Sequence, residues 1–290
     1  MRQLAPDAMT AALAHVVGVP LAEVDVTDQE GDQEGRNWAA LVLCGYEVLI
    51  GDVGMAWEVS VSEAVSEPPD EAAAALRLAD VTGATVLYPA QEGAPSTYWA
   101  VTAGGMVTRA RVEDSDDDVP VNTIDTVEDP VPEFPGARVE LLPEVYQVES
   151  IAVPTTKAFE AATDPDGIAH AQHPANRARE ELMLWERLVR RMAGDWAPTG
   201  RYPLESYVQD LGTRDHLDVR LTTAPAELRE PLARAVEELD AVFLAHTVGD
   251  CGELLGRLAM SGSAVADGGW WWHRRPVRLP WVRPGETGRP

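Results

Sequence analysis

A histidine and a cysteine near the end of the chain are the residues whose types and spacing could support catalysis. His246 lies at the end of a predicted helix that also carries Asp240, and Asp250 and Cys251 follow within five residues. A histidine that reaches a cysteine in space activates the thiol as a nucleophile, and a helix N-terminus beside Cys251 would favour the thiolate. One hypothesis is therefore a hydrolase-type enzyme with a site between the domains near His246 and Cys251.

The same residues also have a purely structural interpretation. The chain has only two cysteines, Cys44 and Cys251, which lie far apart in the sequence, and such thiols are commonly small buried apolar residues. The order of a catalytic triad cannot be read from this sequence. We therefore favour a protein that is not an enzyme and whose two thiols are free and buried.

Two further stretches contain metal-binding residue types. His170 and His173 form a His-x-x-His pair that zinc could use with a carboxylate such as Glu180, but the spacing is not that of an HExxH helix. Residues 25–35 carry carboxylates at alternate positions, as a calcium loop does, but lack the closing bidentate glutamate. No glycine-rich phosphate loop joins a strand to a helix. The sequence therefore predicts neither a metal site nor a cofactor.

The most distinctive stretch is an aromatic and basic segment at the C-terminal end. Residues 270–290 hold four of the nine tryptophans and carry five arginines and one glutamate, a local charge of +4. Tryptophan and arginine dominate binding hot spots, so this segment is a candidate anchor for a partner protein. The candidate partner-binding residues are Trp270, Trp271, Trp272, His273, Arg274, Arg275 and Trp281.

The alternative for this segment is a strap that closes the helical part of the protein. Three successive tryptophans cannot all lie on one face of a strand, because side chains alternate between faces. An exposed row of tryptophans would also promote aggregation. The sequence therefore favours a strap that buries two or three of the indoles.

The overall charge limits the kind of partner. The chain has 48 acidic and 23 basic residues, for a net charge of −25. Binding to a nucleic acid backbone needs cations that replace counterions, so the excess of acids argues against a nucleic acid partner. An acidic surface instead steers a basic protein toward itself. We therefore expect recognition of another, basic protein; the sequence does not predict the oligomeric state.

Compartment signals favour a cytoplasmic protein. Sparse cysteine usage is typical of the reducing cytosol. The first residues lack the apolar core of a signal peptide, and no apolar run approaches the roughly 18 residues of a membrane helix. We therefore expect no membrane interaction.

The spacing of apolar residues predicts an α+β fold with two domains. Residues 1–115 predict two helices, at 6–19 and 70–82, and strands at 38–50, 55–61, 85–88, 97–102 and 106–112. Sequential hairpins indicate an N-terminal antiparallel sheet with helices on one face. A mostly α-helical C-terminal domain follows at 154–262, with its strongest helix at 175–193.

Two segments lie outside these predicted domains. Residues 116–153 are acidic and rich in proline, which predicts a linker or a surface strap. Residues 263–290 form the Trp- and Arg-rich tail.

The composition and several sequence blocks resemble an uncharacterised protein family of high-GC, actinobacterial type. The chain has 22 arginines against a single lysine, and the similar blocks lie at 37–44, 185–192, 198–203 and 270–281. That family has no assigned activity, so the resemblance brings no catalytic residue. In size and charge, the small acidic domain also resembles immunity proteins that neutralise basic toxins. The interaction hypothesis therefore includes an immunity-like protein.

Overall fold

Both α-helices and β-sheets build the protein, which places it in the α+β class, as predicted. The computed structural model describes residues 4–90, 95–115, 120–148, 150–163, 173–197, 199–258 and 268–282. The chain divides into a first unit, Met1–Val148, and a second unit, Glu149–Pro290. None of the helices in the described part is long and apolar enough to cross a membrane.

The first unit alternates short helices with strands. Its elements are α1 (Pro6–Val17), a 3-10 helix (Leu21–Glu23), β1 (Val24–Asp28), β2 (Val42–Val48), β3 (Ile50–Gly51), β4 (Met55–Val61), α2 (Glu71–Thr82), β5 (Val86–Pro89), β6 (Thr97–Val101), β7 (Val107–Asp114), β8 (Val121–Val127), β9 (Arg138–Val139) and α3 (Pro143–Val148). Asp70 starts α2 by accepting a hydrogen bond from the Ala73 amide at 2.8 Å. Gly18 and Gly83 end α1 and α2 in the left-handed conformation that glycine adopts without strain.

The strands of the first unit form two sheets. The smaller sheet has the order β1-β2-β4, with β1 parallel and β4 antiparallel to β2. The larger one has the order β3-β8-β7-β6-β5, with β9 also paired to β8, and it curls into a half-barrel. Both sheets contain parallel pairs, whereas the hairpins predicted one antiparallel sheet. β1 and β2 are parallel because the loop 29–41 between them is long enough to carry the chain back along β1 before β2 begins. β3 is parallel to β8, which lies far from it in the sequence.

One predicted strand is divided in the structure. Residues 38–50 were expected to form a single buried strand, but β2 begins at Val42 and β3 follows it in the other sheet. Before β2 the backbone turns, because the Ala40 amide donates to the carbonyl of Asn37 at 3.0 Å. Trp38 therefore lies outside the strand, with 63% of its surface exposed.

The predicted linker at 116–153 is wrong for its central part. Residues Val121–Val127 form β8, whose Ile124 and Val127 are buried in the core of the half-barrel. Arg111 of the neighbouring strand binds Asp125 at 2.7 Å and holds the pKa of that carboxyl at about 2. The acidic composition suggested a solvated segment, but paired acids and alternating apolar residues make a strand here. Residues 116–119 and 149 of the predicted linker lie outside the described part.

The second unit is mostly helical. Its elements are α4 (Pro154–Thr163), α5 (Pro174–Ala193), α6 (Leu204–Thr223), α7 (Ala226–Ala245), β10 (Thr247–Gly249), α8 (Glu253–Arg257), a 3-10 helix (Trp270–His273) and β11 (Arg274–Pro276). The apolar stripe of α5 is buried as its periodicity predicted, with Leu182, Trp185 and Val189 fully covered. Helix α6 continues through Gly212, because Leu211 and Leu217 on either side of it are buried and outweigh the glycine's low helix propensity.

Candidate functional site

The three successive tryptophans of the tail lie in the 3-10 helix Trp270–His273. Trp271 is 3% exposed and Trp272 is 5% exposed. The glycines before them make this packing possible: a Cβ atom on Gly268 would lie 2.3 Å from the Trp272 ring, and one on Gly269 would lie 2.3 Å from the Trp271 ring. Only residues without a side chain fit at these two positions.

A single carboxylate of α6 holds both buried indoles. Asp215 accepts hydrogen bonds from the Nε1 atoms of Trp271 and Trp272, each at 3.0 Å from its Oδ1 atom. Its Oδ2 atom lies 2.9 Å from Trp272 Nε1. A buried indole N–H needs an acceptor, so Asp215 determines where this part of the tail packs.

An arginine beside Asp215 extends the same network to the other helices. The Arg214 guanidinium lies 4.2 Å from the centre of the Trp271 ring and binds both carboxylate oxygens of Asp240, at 3.0 and 2.8 Å. Asp240 on α7 also accepts from Trp185 Nε1 on α5, at 3.2 Å. The tail, α5, α6 and α7 are therefore joined by one chain of charge-assisted contacts.

The arginines that follow the tryptophans also bind the second unit. Arg274 Nε donates to Thr247 Oγ1 at 2.7 Å, while β11 pairs antiparallel with β10. Arg278 forms an ion pair with Asp195 at 2.7 Å. Residues 268–282 thus lie against the second unit as a strap.

The predicted partner-binding residues fall into a buried group and a partly exposed group. Trp271 and Trp272 are buried and do not present their indoles at the surface, whereas Trp270 is 39% exposed. The other members are partly exposed and lie beside the strap's own contacts: His273, Arg274, Arg275 and Trp281. An anchor that displays all three successive indoles is therefore not formed.

The side chains predicted to form a hydrolase site have other roles. No hydrogen bond or ion pair joins His246 to Cys251 in the described part of the chain. Asp240 is bound to Arg214, and Asp250 accepts the amides of Gly252 and Leu254 at the start of α8, at 3.0 and 3.1 Å. The nearby carboxylates therefore stabilise helices and ion pairs rather than an imidazole.

The two cysteines differ in their surroundings. Cys44 is buried, as predicted, and burial raises the pKa of its thiol to about 12, which keeps it protonated. Cys251 is exposed rather than buried, because it lies in a turn between β10 and α8 with a φ of 56°. The prediction of two buried thiols is therefore wrong for Cys251.

The candidate metal ligands are engaged in local structure. His173 caps α5 by accepting the Ala175 amide on Nδ1 at 3.2 Å, while His170 lies outside the described residues. In the acidic loop, Asp25 binds Arg36 Nε at 2.7 Å, which lowers the pKa of this carboxyl against the opposing effect of burial. Within the described residues, no three histidine, cysteine or acidic side chains are grouped so that they could hold a metal ion.

Charge is divided very unequally between the two units. The first unit has 27 acidic and 6 basic residues, a net charge of −21, and the second has 21 acidic and 17 basic residues, a net charge of −4. The strongly basic tail contributes to the near balance of the second unit. The acidic character of the chain is therefore a property of the first unit.

The longest stretch of the first unit without a lysine or arginine contains β2 and β4. No lysine or arginine occurs between Arg36 and Arg77. The stretch contains seven acidic residues, all of them exposed: Glu47, Asp52, Glu58, Glu63, Glu67, Asp70 and Glu71. Exposed carboxylates with no neighbouring cation in the sequence create a negative field at this surface.

An exposed tryptophan lies in the loop before β2. Trp38 has the Arg36 guanidinium 4.6 Å from its ring centre, and the Asn37 amide donates to Asp25 at 2.7 Å. These contacts hold the loop against β1 and leave most of the indole in solvent. The predicted strand at 38–50 included Trp38; the run of loop-forming residues before it was the signal for the exposed position.

Comparison of the chain with protein-family models, curated proteins and solved structures finds no match in any of the three.

Proposed function

We propose that this protein is an interaction protein whose acidic first unit binds a basic surface of another protein. The observation that supports the proposal is the division of charge, −21 on the first unit against −4 on the second. A field of one sign attracts a partner of the opposite sign and speeds their association. The stretch without bases between Arg36 and Arg77 provides exposed carboxylates for ion pairs with that partner.

Several expectations from the sequence belong to this proposal. The protein acts in the cytoplasm, belongs to a family of actinobacterial type, and in its immunity-like form would neutralise a basic toxin by covering its cationic surface. Its plan is an N-terminal α+β domain followed by a mostly helical domain. The second unit, with its docked strap, supports the fold rather than supplying the anchor.

The hydrolase alternative is not part of the proposal. Its carboxylates are already bound, Asp240 to Arg214 and Asp250 to the first turn of α8. A nucleic acid partner is also left out, since the charge of the first unit repels a phosphate backbone.

The proposal is tested with polylysine as a defined basic probe and the full-length chain. At a salt concentration of about 0.05 M we expect measurable binding, and about 0.5 M salt should abolish most of it, because screening shortens the reach of exposed charges. The triple variant Glu47→Gln, Glu58→Gln, Glu63→Gln should bind about 5- to 10-fold more weakly at low salt, as three exposed ion pairs imply.

A matched variant in the second unit gives the control. Glu227→Gln, Glu230→Gln, Glu237→Gln removes the same number of charges from exposed positions of α7. This control should bind within about twofold of the natural chain. Equal weakening by both triple variants, or affinity that does not depend on salt, would overturn the proposal.

A further inference from the structure

Strand β4 forms the edge of the three-stranded sheet. Its seven residues pair without a bulge with β2, from Val42 opposite Val61 to Val48 opposite Met55. Within the described residues, no strand pairs with its other side. The far side of β4 is therefore a long, regular edge.

The backbone groups that point away from β2 can be identified from the hairpin's hydrogen bonds. Leu49 donates to the Gly54 carbonyl at 3.1 Å, and Ser62 donates to the Leu41 carbonyl at 2.8 Å. Bonded and non-bonded pairs alternate in an antiparallel ladder, so the even-numbered residues between these ends direct their N–H and C=O groups at β2. The outward groups therefore belong to the odd-numbered residues Met55, Trp57, Val59 and Val61.

The same alternation gives the two sides of this edge different chemistry. The side chains of these four odd-numbered residues share one face of the sheet and form an apolar row that is only partly covered. Val59 is 39% exposed, and Trp57 packs on Tyr46 at 5.3 Å between ring centres. The opposite face carries the exposed carboxylates of Glu47 and Glu58. A strand added to β4 would meet aliphatic side chains on one face and carboxylates on the other.

The usual protection of an edge strand is missing from β4. Natural edges commonly carry a lysine, a proline or a bulge that prevents pairing with another chain. The segment Met55–Val61 contains none of these, and Glu58 is its only charged residue. An edge of this kind is suited to take up an extended segment.

The charge of the surroundings indicates which segment fits. A second copy of the chain would bring another unit of charge −21 to this edge, which repulsion opposes. A segment that alternates lysine or arginine with aliphatic residues would place its cations beside Glu58, on the sheet face that also carries Glu47, and its aliphatic side chains beside Val59.

We propose that the outer edge of β4 binds an extended basic segment of the partner protein as an additional strand. This inference rests on the proposed function and names the surface and the sequence pattern that the acidic unit recognises. Main-chain hydrogen bonds to the odd-numbered residues provide affinity, and the alternating side chains provide specificity.

The test uses a synthetic peptide that alternates lysine and valine over about ten residues, the upper length of strands in globular proteins. A second peptide of the same sequence carries N-methyl groups on alternate amides and cannot complete a ladder. The full-length chain should bind the first peptide at least about tenfold more tightly than the second, since several backbone hydrogen bonds are lost. Amide exchange should slow at Trp57, Val59 and Val61 when the first peptide binds.

Two variants locate the binding. Val59→Pro removes an outward N–H without touching the ladder to β2, and Val59→Lys adds a repelling charge at the same place; each should weaken binding about tenfold or more. Val139 in β9 has the same exposure of 39%, so Val139→Lys is the matched control and should leave affinity within about twofold. If Val59→Pro fails to fold, judged by circular dichroism, Val59→Lys still tests the edge.

The outcomes separate this inference from the proposed function. Polylysine binding together with equal affinity for both peptides, or with unchanged exchange at Trp57, Val59 and Val61, overturns the edge of β4 as the site and leaves the acidic unit as the binding surface. Failure of polylysine and of both peptides to bind overturns both proposals.

Discussion

Asp215 is the side chain that holds the two buried indoles of the tail. Within the described residues it accepts the N–H groups of both Trp271 and Trp272, and both indoles are almost fully buried. Leaving a buried donor without an acceptor costs about 1–3 kcal/mol. The carboxylate therefore contributes to the stability of the second unit well beyond an ordinary surface acid.

Replacing this carboxylate gives the first prediction. Asp215→Ala should lower the free energy of unfolding of the second unit by about 2–4 kcal/mol, because two buried indole donors lose their acceptor. Urea denaturation followed by tryptophan fluorescence measures the change. Asp218→Ala, on the same helix but with a 63% exposed side chain, should change stability by less than about 1 kcal/mol. Similar effects of the two substitutions would contradict the assigned role.

A second residue links stability to pH. Tyr202 donates to Asp210 at 2.7 Å, and burial raises the pKa of this carboxyl to about 7. The folded state therefore keeps a proton that the unfolded chain releases near 3.8. Since the folded state binds more protons in this window, the contribution of Asp210 to stability falls as pH rises from about 4 to about 7.

The variant Asp210→Asn isolates this contribution, because an amide does not titrate. The urea midpoint of Asp210→Asn minus that of the natural chain should increase as pH rises from about 4 to about 7, because only the natural chain loses stability in this window. The value should stay constant above about pH 7. A difference that is independent of pH would show that Asp210 has an ordinary pKa.

At the scale of elements, alanine substitutions at two glycines should change the stability of the second unit in opposite directions. Gly212 lies inside α6 with open space around its Cα, so Gly212→Ala should stabilise the second unit by about 0.5–1 kcal/mol. Gly269 touches the Trp271 ring, so Gly269→Ala should destabilise it by about 1–3 kcal/mol through overpacking. Thermal denaturation monitored by circular dichroism compares the two; a loss of stability for Gly212→Ala would contradict the continuous helix.

The elements that sequence predicted well are those with strong local signals. Helix α5 has a clear apolar stripe, and α2 has an aspartate cap and a terminal glycine, so both were predicted close to their observed bounds. Strand β8 was hidden by its acidic neighbours, because the ion pair of Asp125 with Arg111 depends on the fold. The length of α6 beyond Gly212 depends on the burial of Leu217, which cannot be read from the local sequence.

The candidate site was less predictable than the elements. The sequence favoured a strap for the tail because an exposed row of three tryptophans would promote aggregation, and the structure buries two of these indoles. The exposed Trp38 and the open edge of β4 depend on which strands pair, and pairing over distances such as β3 with β8 leaves no local pattern.

At the scale of the whole molecule, the boundary between the units decides how the charge is understood. With the boundary near residue 115, the following acidic segment was counted as a linker. With the boundary after Val148, these acids belong to the first unit, which then carries −21 of the net −25. The proposed partner recognition follows from this division and not from the total charge alone.

Carboxylate footprinting tests this central claim most directly. Exposed acids of the full-length chain are labelled with a carbodiimide and an amine, with and without polylysine, and the labelled residues are identified by mass spectrometry. We predict that polylysine protects Glu47, Glu58 and Glu63 of the first unit and leaves Glu230 and Glu237 of the second unit unchanged. Protection that is equal in both units, or greater in the second, would contradict recognition through the acidic first unit.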